Sequence, residues 1–133
     1  SESIRDLEGQ EYPMAGVLPG GSRIDTPRLH LGYRTVQALS DGPLLCRGET
    51  VRGHEFHWSV PLGKSDMNAY QIVGSQRREG FHIGNTFASY IHLHMASQPG
   101  MARRFIAQCR QFGGEVFDGP ARRAHCGDKR RKP

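Results

Sequence analysis

Two histidines at the end of one short run are the residues of this sequence best suited to chemistry. His92 and His94 close the segment 80–94, in which apolar residues alternate with polar ones. An imidazole titrates near neutral pH, so it can act as a general base, and its neutral ring can bind a metal. If the segment is extended, the period of two places both rings on the same face. Two titratable rings on one face of a strand indicate a site rather than a core.

A second histidine pair lies upstream, in the run 49–59, where His54 and His57 flank Glu55. Residues three apart in a strand point to opposite faces, so a metal shared by these two histidines is not expected. Gly53 interrupts the run, and a glycine inside a strand often marks a bulge or a close approach of another backbone. The chemistry therefore depends on whether the two histidine-bearing segments meet.

Most of the elements that must position these residues read as strands. Alternating or short apolar runs bounded by glycine, proline and polar residues are typical of strands. Residues 75–79 read as a charged hairpin tip, and 22–27 as a polar loop. The predicted strands cover 12–18, 28–36, 49–59, 69–73 and one or two short pieces within 80–94 that meet near Asn85.

Helices are predicted at the two ends of this strand-rich stretch. Residues 1–7 read as the last turns of one helix. A second helix is expected after Ser97, as its cap, with Pro99 in its first turn. Cys109 falls on the apolar stripe of this helix, which predicts a buried and inert thiol. A sheet of this type normally has helices packed on both faces, and this sequence predicts few helices. We therefore expect the helices that pack on the sheet to precede residue 1.

Composition bounds the functional classes. The chain has 133 residues, a hydrophobic fraction of 36% and a net charge of +5. Residues 113–133 carry six Lys/Arg against three acidic residues and read as a disordered tail, so the basic charge does not by itself imply a nucleic-acid surface. Three cysteines without metal or disulfide spacing, no signal peptide and no membrane-length apolar window favour a reduced, cytoplasmic protein without a membrane partner.

Four segments together resemble one family in their order and spacing: residues 12–20 (Tyr-Pro-Met-Ala-Gly-Val-Leu-Pro-Gly), 26–33, 52–59 (Arg-Gly-His-Glu-Phe-His-Trp-Ser) and 88–94 (Ala-Ser-Tyr-Ile-His-Leu-His). They resemble the C-terminal glutamine amidotransferase domain of the cobyrinic acid a,c-diamide synthases, the CobB/CbiA type of class I amidotransferase. The resemblance covers about residues 4–112. It implies an α/β fold: the C-terminal portion of a flavodoxin-like class I domain over residues 1–112, strand-rich with one C-terminal helix, followed by the tail 113–133.

The resemblance also implies an activity. Enzymes of this family are ATP-dependent ligases of vitamin B12 biosynthesis, in which an N-terminal synthetase domain binds Mg-ATP and activates the a and c carboxylates of a corrinoid. The C-terminal domain hydrolyses glutamine and delivers the ammonia. By the family motif His92 is the base that serves a nucleophilic cysteine. His94 stands where many triad amidotransferases carry an orienting carboxylate, and we expect Glu55 on the neighbouring strand to supply one instead.

This chain departs from the family pattern at a decisive point. The family places its nucleophile in a Cys-Gly-Gly turn, and neither that turn nor a Gly-rich phosphate loop occurs here. Cys46, Cys109 and Cys126 are poor replacements. The sequence therefore predicts a fragment that is inactive alone, with no cofactor or metal of its own, because ATP and Mg²⁺ bind in the missing synthetase domain.

Two alternatives from other classes remain open on the residues alone. One is a cupin-like β protein that binds a metal through His92 and His94 with His54 or His57, although residues 95–98 lack the expected ligand Glu. The other is a non-catalytic binding module whose basic tail contacts nucleic acid, for which no recognised nucleic-acid motif is present.

Overall fold

Short strands account for most of the regular secondary structure among the residues that the structure describes. The structure, a computed structural model, describes residues 1–25, 28–62 and 69–112. A short 3-10 helix, Met95–Ser97, precedes α1 (Pro99–Phe112). The strands of the described residues are β1 Ser3–Arg5, β2 Glu11–Pro13, β3 Gly21–Ile24, β4 His30–Ala38, β5 Thr50–His57, β6 Ser59–Pro61, β7 Tyr70–Ile72, β8 Arg78–Glu79, β9 Phe81–Ile83, β10 Thr86–Ala88 and β11 Ile91–Leu93.

These strands form two sheets and a hairpin. The larger sheet has the order β11-β5-β4-β7-β8 and is antiparallel throughout. Its centre is the long β4–β5 pair, in register from His30 opposite His57 to Gln37 opposite Thr50. The smaller sheet has the order β2-β1-β3-β6, with β1 and β3 parallel, and β9 pairs only with β10. The larger sheet therefore brings β11 beside β5.

The core lies on one side of the larger sheet, here called the inner face. Val36, Val51 and Ile91 point to this side and are at most 2% exposed. Met101 of α1 packs against them, but Phe105, one turn further along the helix, is 48% exposed. The opposite side, the outer face, stays open in the described part of the chain. The larger sheet is thus covered on one side by the start of α1 and bare on the other.

The strand predictions were confirmed wherever an alternating run was long. β4, β5 and β7 lie within or across the predicted runs 28–36, 49–59 and 69–73, and β9 and β10 turn at Gly84 and Asn85 as expected. Strand-rich α/β structure with one α-helix is thus confirmed for the described residues. The tail 113–133 lies outside them.

Two predictions near the N-terminus were wrong. Residues 1–7 do not form a helix; β1 lies there, between β2 and β3. The predicted loop over 22–27 includes β3, which pairs with β1 and β6. Both segments are short and polar, so the hydrogen bonds of a neighbouring strand, rather than local propensity, decide their conformation.

The C-terminal helix starts as predicted but is capped differently. Pro99 is its first residue, where a missing N–H costs nothing. The cap comes from Gln98, whose Oε1 accepts the Gly100 N–H at 3.4 Å, and not from Ser97. No helix in the described ranges is long and apolar enough to cross a membrane.

Candidate functional site

His92 is the middle residue of β11 and lies on the outer face of the larger sheet. Its neighbour Ile91 is 2% exposed and packs into the core, so the pleat turns the His92 ring towards solvent. His94 is also exposed, and its extended backbone (φ −88°, ψ 105°) continues the alternation. The two imidazoles therefore share a face, as their spacing predicts.

The two histidine-bearing segments meet. His92 lies directly opposite His54 in the β11–β5 pairing, with ring centres 5.9 Å apart and ring planes inclined by 53°. The His54 ring is also 5.8 Å from that of Tyr33 and 6.2 Å from that of Phe56. Tyr33 is 81% exposed and Phe56 52% exposed. We call these four side chains the outer patch; such a cluster of exposed rings is typical of an interaction surface.

Gly53 sets the distance between β11 and β5. A Cβ atom at this position would lie 2.9 Å from the carbonyl oxygen of His92 and would collide with the Ile91 side chain. Two strands can pack this closely only where one of them lacks a side chain. The predicted close backbone approach at Gly53 is confirmed, and the backbone that approaches is that of His92.

Ser97 ties the end of β11 back to β5. Its hydroxyl accepts the Arg52 N–H at 3.1 Å and donates to the His94 carbonyl at 2.7 Å. The His94 N–H in turn donates to the Arg52 carbonyl at 2.9 Å. The backbone that carries His92 and His94 is therefore hydrogen-bonded to β5 beyond the last residue of the strand.

Glu55 lies on the inner face, and the structure does not bring it to His92. Its side chain is 0% exposed; Arg34 Nε lies 2.8 Å from its Oε2, and Arg77 donates to its Oε1. Burial alone would raise the pKa of Glu55, but the hydrogen bond and charge of Arg77 and the charge of Arg34 outweigh it and lower the pKa. The expectation that Glu55 orients His92 gains no support, because a one-residue shift along a strand reverses the face.

His57 also faces inwards, opposite in direction to His54 as the period of two predicts. Its Nδ1 lies 2.7 Å from the Ser59 carbonyl oxygen, and its Nε2 lies 3.6 Å from Glu55. The ring stacks on Tyr90 at 4.1 Å, and the Tyr90 hydroxyl lies 2.9 Å from the Ser59 hydroxyl. The segments 52–59 and 88–94, singled out in the sequence, are therefore in contact on both faces of the sheet.

Glu79 is a buried carboxylate that the sequence analysis missed. It was taken as part of a charged hairpin tip, yet it is 3% exposed. It accepts hydrogen bonds from the Tyr90 N–H and the Ser89 hydroxyl, each at 2.8 Å. Burial raises the pKa of Glu79, although these two hydrogen bonds act in the opposite direction. Only the register of β8 against β7 distinguishes it from the exposed Arg77 and Arg78 beside it.

A cavity of about 230 Å³ is lined by residues of the smaller sheet, by Glu79 of β8 and by the β9–β10 hairpin. His92 is not among the described residues that line it, so the cavity and the outer patch are separate features. The described lining residues are Ser1, Leu18, Pro19, Gly21, Ser22, Pro61, Leu62, Glu79, Phe81, Ala88, Ser89 and Tyr90.

The thiol on α1 differs from its predicted state. Cys109 is a free and exposed thiol, not a buried one, because only the first part of α1 packs on the core. Cys46 is buried. Cys126 lies outside the described residues.

The described residues give the cupin-like alternative no support. Among 1–25, 28–62 and 69–112 there is no cluster of three or more His, Cys, Asp or Glu side chains arranged to hold a metal ion. His57 lies on the opposite face of the sheet from His92 and cannot share a metal with it. His54 is the imidazole that lies beside His92.

Comparison with known sequences identifies one family. Residues 1–100 match the CobB/CobQ-like glutamine amidotransferase domain. A cobyrinate a,c-diamide synthase of Syntrophotalea carbinolica is 41% identical over 120 residues, which cover 83% of this chain and 26% of that protein. A hydrogenobyrinate a,c-diamide synthase of Streptomyces coelicolor is 44% identical over 108 residues, 80% of this chain and 22% of that protein.

A third relative, the cobyrinate a,c-diamide synthase of Salmonella typhimurium, is 35% identical over 115 residues, 82% of this chain and 25% of that protein. The chain thus spans about a quarter of the length of the relatives it matches.

Proposed function

Because the chain belongs to the CobB/CobQ-like glutamine amidotransferase family, we propose that it forms part of the glutaminase domain of an a,c-diamide synthase. That enzyme would amidate the a and c carboxylates of cobyrinate or hydrogenobyrinate with ammonia taken from glutamine. Relatives named for each substrate match this chain at similar identity, 41% and 44%. The proposal therefore covers both corrinoids.

In the proposed reaction a cysteine thiolate attacks the side-chain amide carbon of glutamine. His92 takes the thiol proton and returns a proton to the departing nitrogen, so that the C–N bond breaks, ammonia leaves and a thioester forms. Water then hydrolyses the thioester to glutamate and restores the thiol, with His92 as the base for the water. Histidine suits these transfers because its side chain exchanges a proton readily near neutral pH.

The observation that carries this proposal is the placement of the His92 ring. It is exposed on an open face, while its backbone is fixed by Gly53 beside it and by the hydrogen bonds of Arg52 and Ser97 at the end of the strand. A general base must be both rigidly held and reachable by the group it deprotonates. A histidine buried in the core would not meet the second requirement.

The remaining chemistry is assigned to parts of the enzyme other than the described residues. A synthetase domain would bind ATP and Mg²⁺ and activate the corrinoid carboxylates. The nucleophile would also come from outside, since Cys46 is buried and Cys109 lies on α1, whereas His92 lies on the outer face of the sheet. The isolated 133-residue chain should therefore hydrolyse no glutamine.

A chimera tests the proposal. In the synthase of Syntrophotalea carbinolica, the segment matching this chain is replaced by this chain, and corrinoid amidation is measured with glutamine and, separately, with an ammonium salt. We expect amidation with both nitrogen sources, and no glutamine hydrolysis by the isolated chain. Amidation with ammonium but not with glutamine would contradict the proposal, because the synthetase half would then be intact and the glutaminase half not.

A further inference from the structure

We infer that His54 is the positioning residue of His92: its imidazole, on the neighbouring strand, holds the His92 ring in the orientation that proton transfer needs. This inference rests on the proposed function of His92. In this chain a histidine of β5 would thereby do what an orienting carboxylate does in many catalytic triads.

The register of the sheet places the two rings together. His54 and His92 are direct partners in the β5–β11 pairing, and directly opposed residues of antiparallel strands project side by side on the same face. Their ring centres lie 5.9 Å apart and the planes are tilted by 53°. This separation is too long for a direct hydrogen bond between ring nitrogens, but one bridging water can join them.

His54 is itself held in place, which a positioning residue requires. Tyr33 lies on one side of it at 5.8 Å, and Phe56 stacks against it at 6.2 Å with an interplanar angle of 15°. The backbone beneath it runs in the long β4–β5 pairing, where Tyr33 and His54 are opposed. His92, by contrast, sits on β11, which among the described strands is at the edge of the sheet and has a neighbour on one side only.

The protonation of the pair gives His54 a defined task. A neutral imidazole carries one N–H and one lone pair. For His92 to accept the thiol proton, the lone pair must point to the thiol, so the N–H points elsewhere and needs an acceptor. The lone pair of His54 is that acceptor, through one bridging water, and it also stabilises the imidazolium that His92 becomes after the transfer. Glu55, the nearest carboxylate in sequence, is on the other face and already bound by Arg34 and Arg77.

Two substitutions separate this task from simple packing. His54→Phe keeps a flat ring between Tyr33 and Phe56 but removes both ring nitrogens. His54→Gln loses the ring but keeps an amide that can accept a hydrogen bond. Both are made in the chimera described above, alongside His82→Phe on β9 as a matched exchange of histidine for phenylalanine away from the outer face.

We expect His54→Phe to lower kcat for glutamine hydrolysis by about 10-fold or more, with KM for glutamine changed less than about 2-fold. His54→Gln should keep most of the activity, and His82→Phe should resemble the parent. Amidation with added ammonium should be unaffected in all three, which shows that the synthetase half is intact. Denaturant unfolding like that of the parent would show that the exchanged segment is folded.

Full activity of His54→Phe would overturn the inference, and so would equal losses for the Phe and Gln variants, which would indicate a role in shape alone. Failure of the inference is distinguishable from failure of the proposed function. In the first case His92→Ala abolishes glutamine hydrolysis while His54→Phe does not; in the second, His92→Ala leaves it intact.

Discussion

The two faces of β5 differ in exposure and in the kind of contact that their side chains make. On the outer face His54 and Phe56 lie among exposed rings and contact His92 and Tyr33. On the inner face Glu55 is fully buried between Arg34 and Arg77, with His57 beside it. The same eight-residue strand thus carries aromatic rings of an open surface on one side and paired charges on the other.

This contrast separates two reasons for which polar residues cluster. A buried carboxylate must be compensated, because leaving its charge without partners costs several kcal/mol, of the order of 3–5 kcal/mol in proteins. Exposed histidines need no such compensation, so their placement reflects what they contact rather than what the fold requires. We therefore expect substitutions on the inner face to change stability and substitutions on the outer face to change activity. Four substitutions test this expectation.

Glu55→Ala should have the largest effect on stability. It leaves Arg34 and Arg77 facing each other without the carboxylate that pairs them, and we expect the free energy of unfolding to fall by about 3 kcal/mol. Denaturant unfolding of the isolated chain or of the chimera measures this. Glu11→Ala, which breaks the exposed pair with Arg5, is the control and should change nothing measurable. Equal effects of the two substitutions would remove the distinction between the inner face and the surface.

Gly53→Ala should come next and affects both faces. The added methyl group would displace the Ile91 side chain and the His92 carbonyl, so β11 must shift away from β5. We expect a loss of about 2 kcal/mol in unfolding free energy together with lower glutaminase activity in the chimera. Thr50→Ala, an exposed position on the same strand, serves as the control. A stable and fully active Gly53→Ala variant would show that the spacing of β11 is not tight.

Glu79→Gln should change how stability depends on pH. The folded state raises the pKa of Glu79, so it keeps this proton where the unfolded chain has lost it. Stability from this group is therefore highest below the ordinary glutamate pKa of about 4.3 and falls as pH rises through the raised value. The glutamine variant lacks this fall, so its melting temperature relative to the parent should increase from pH 4 to pH 8.

Glu55 should show the opposite pH dependence, since its pKa is lowered. The stability that it contributes is present above the ordinary glutamate pKa and is lost as pH falls through the lowered value. If the difference in melting temperature between Glu79→Gln and the parent stayed constant from pH 4 to pH 8, the raised pKa of Glu79 would be contradicted.

His92→Ala should have the smallest effect on stability. Its side chain is exposed and makes no hydrogen bond or ion pair with another described residue, so the free energy of unfolding should change by less than about 0.5 kcal/mol. A large loss of stability would mean that His92 is a structural residue.

Sequence patterns captured the long strands and the direction of their side chains. The alternation in 28–36 and 49–59 is local information, and the opposite orientations of His54 and His57 follow from it. The meeting of His92 with His54 depends on which strands pair and in what register, which a single sequence does not contain. For the same reason the sequence did not show that Glu55 lies on the inner face, away from His92, or that Glu79 is buried: each lies one residue away from a position with the opposite environment.

The most direct test of the account is glutamine hydrolysis by the chimera carrying His92→Ala, compared at equal folded fraction with Glu55→Gln. We predict a loss of at least about 100-fold for His92→Ala, with ammonium-dependent amidation intact, and a smaller loss for Glu55→Gln that follows its lower stability. Wild-type glutamine hydrolysis by the His92→Ala chimera would contradict the central claim that this exposed imidazole is the base of the glutaminase site.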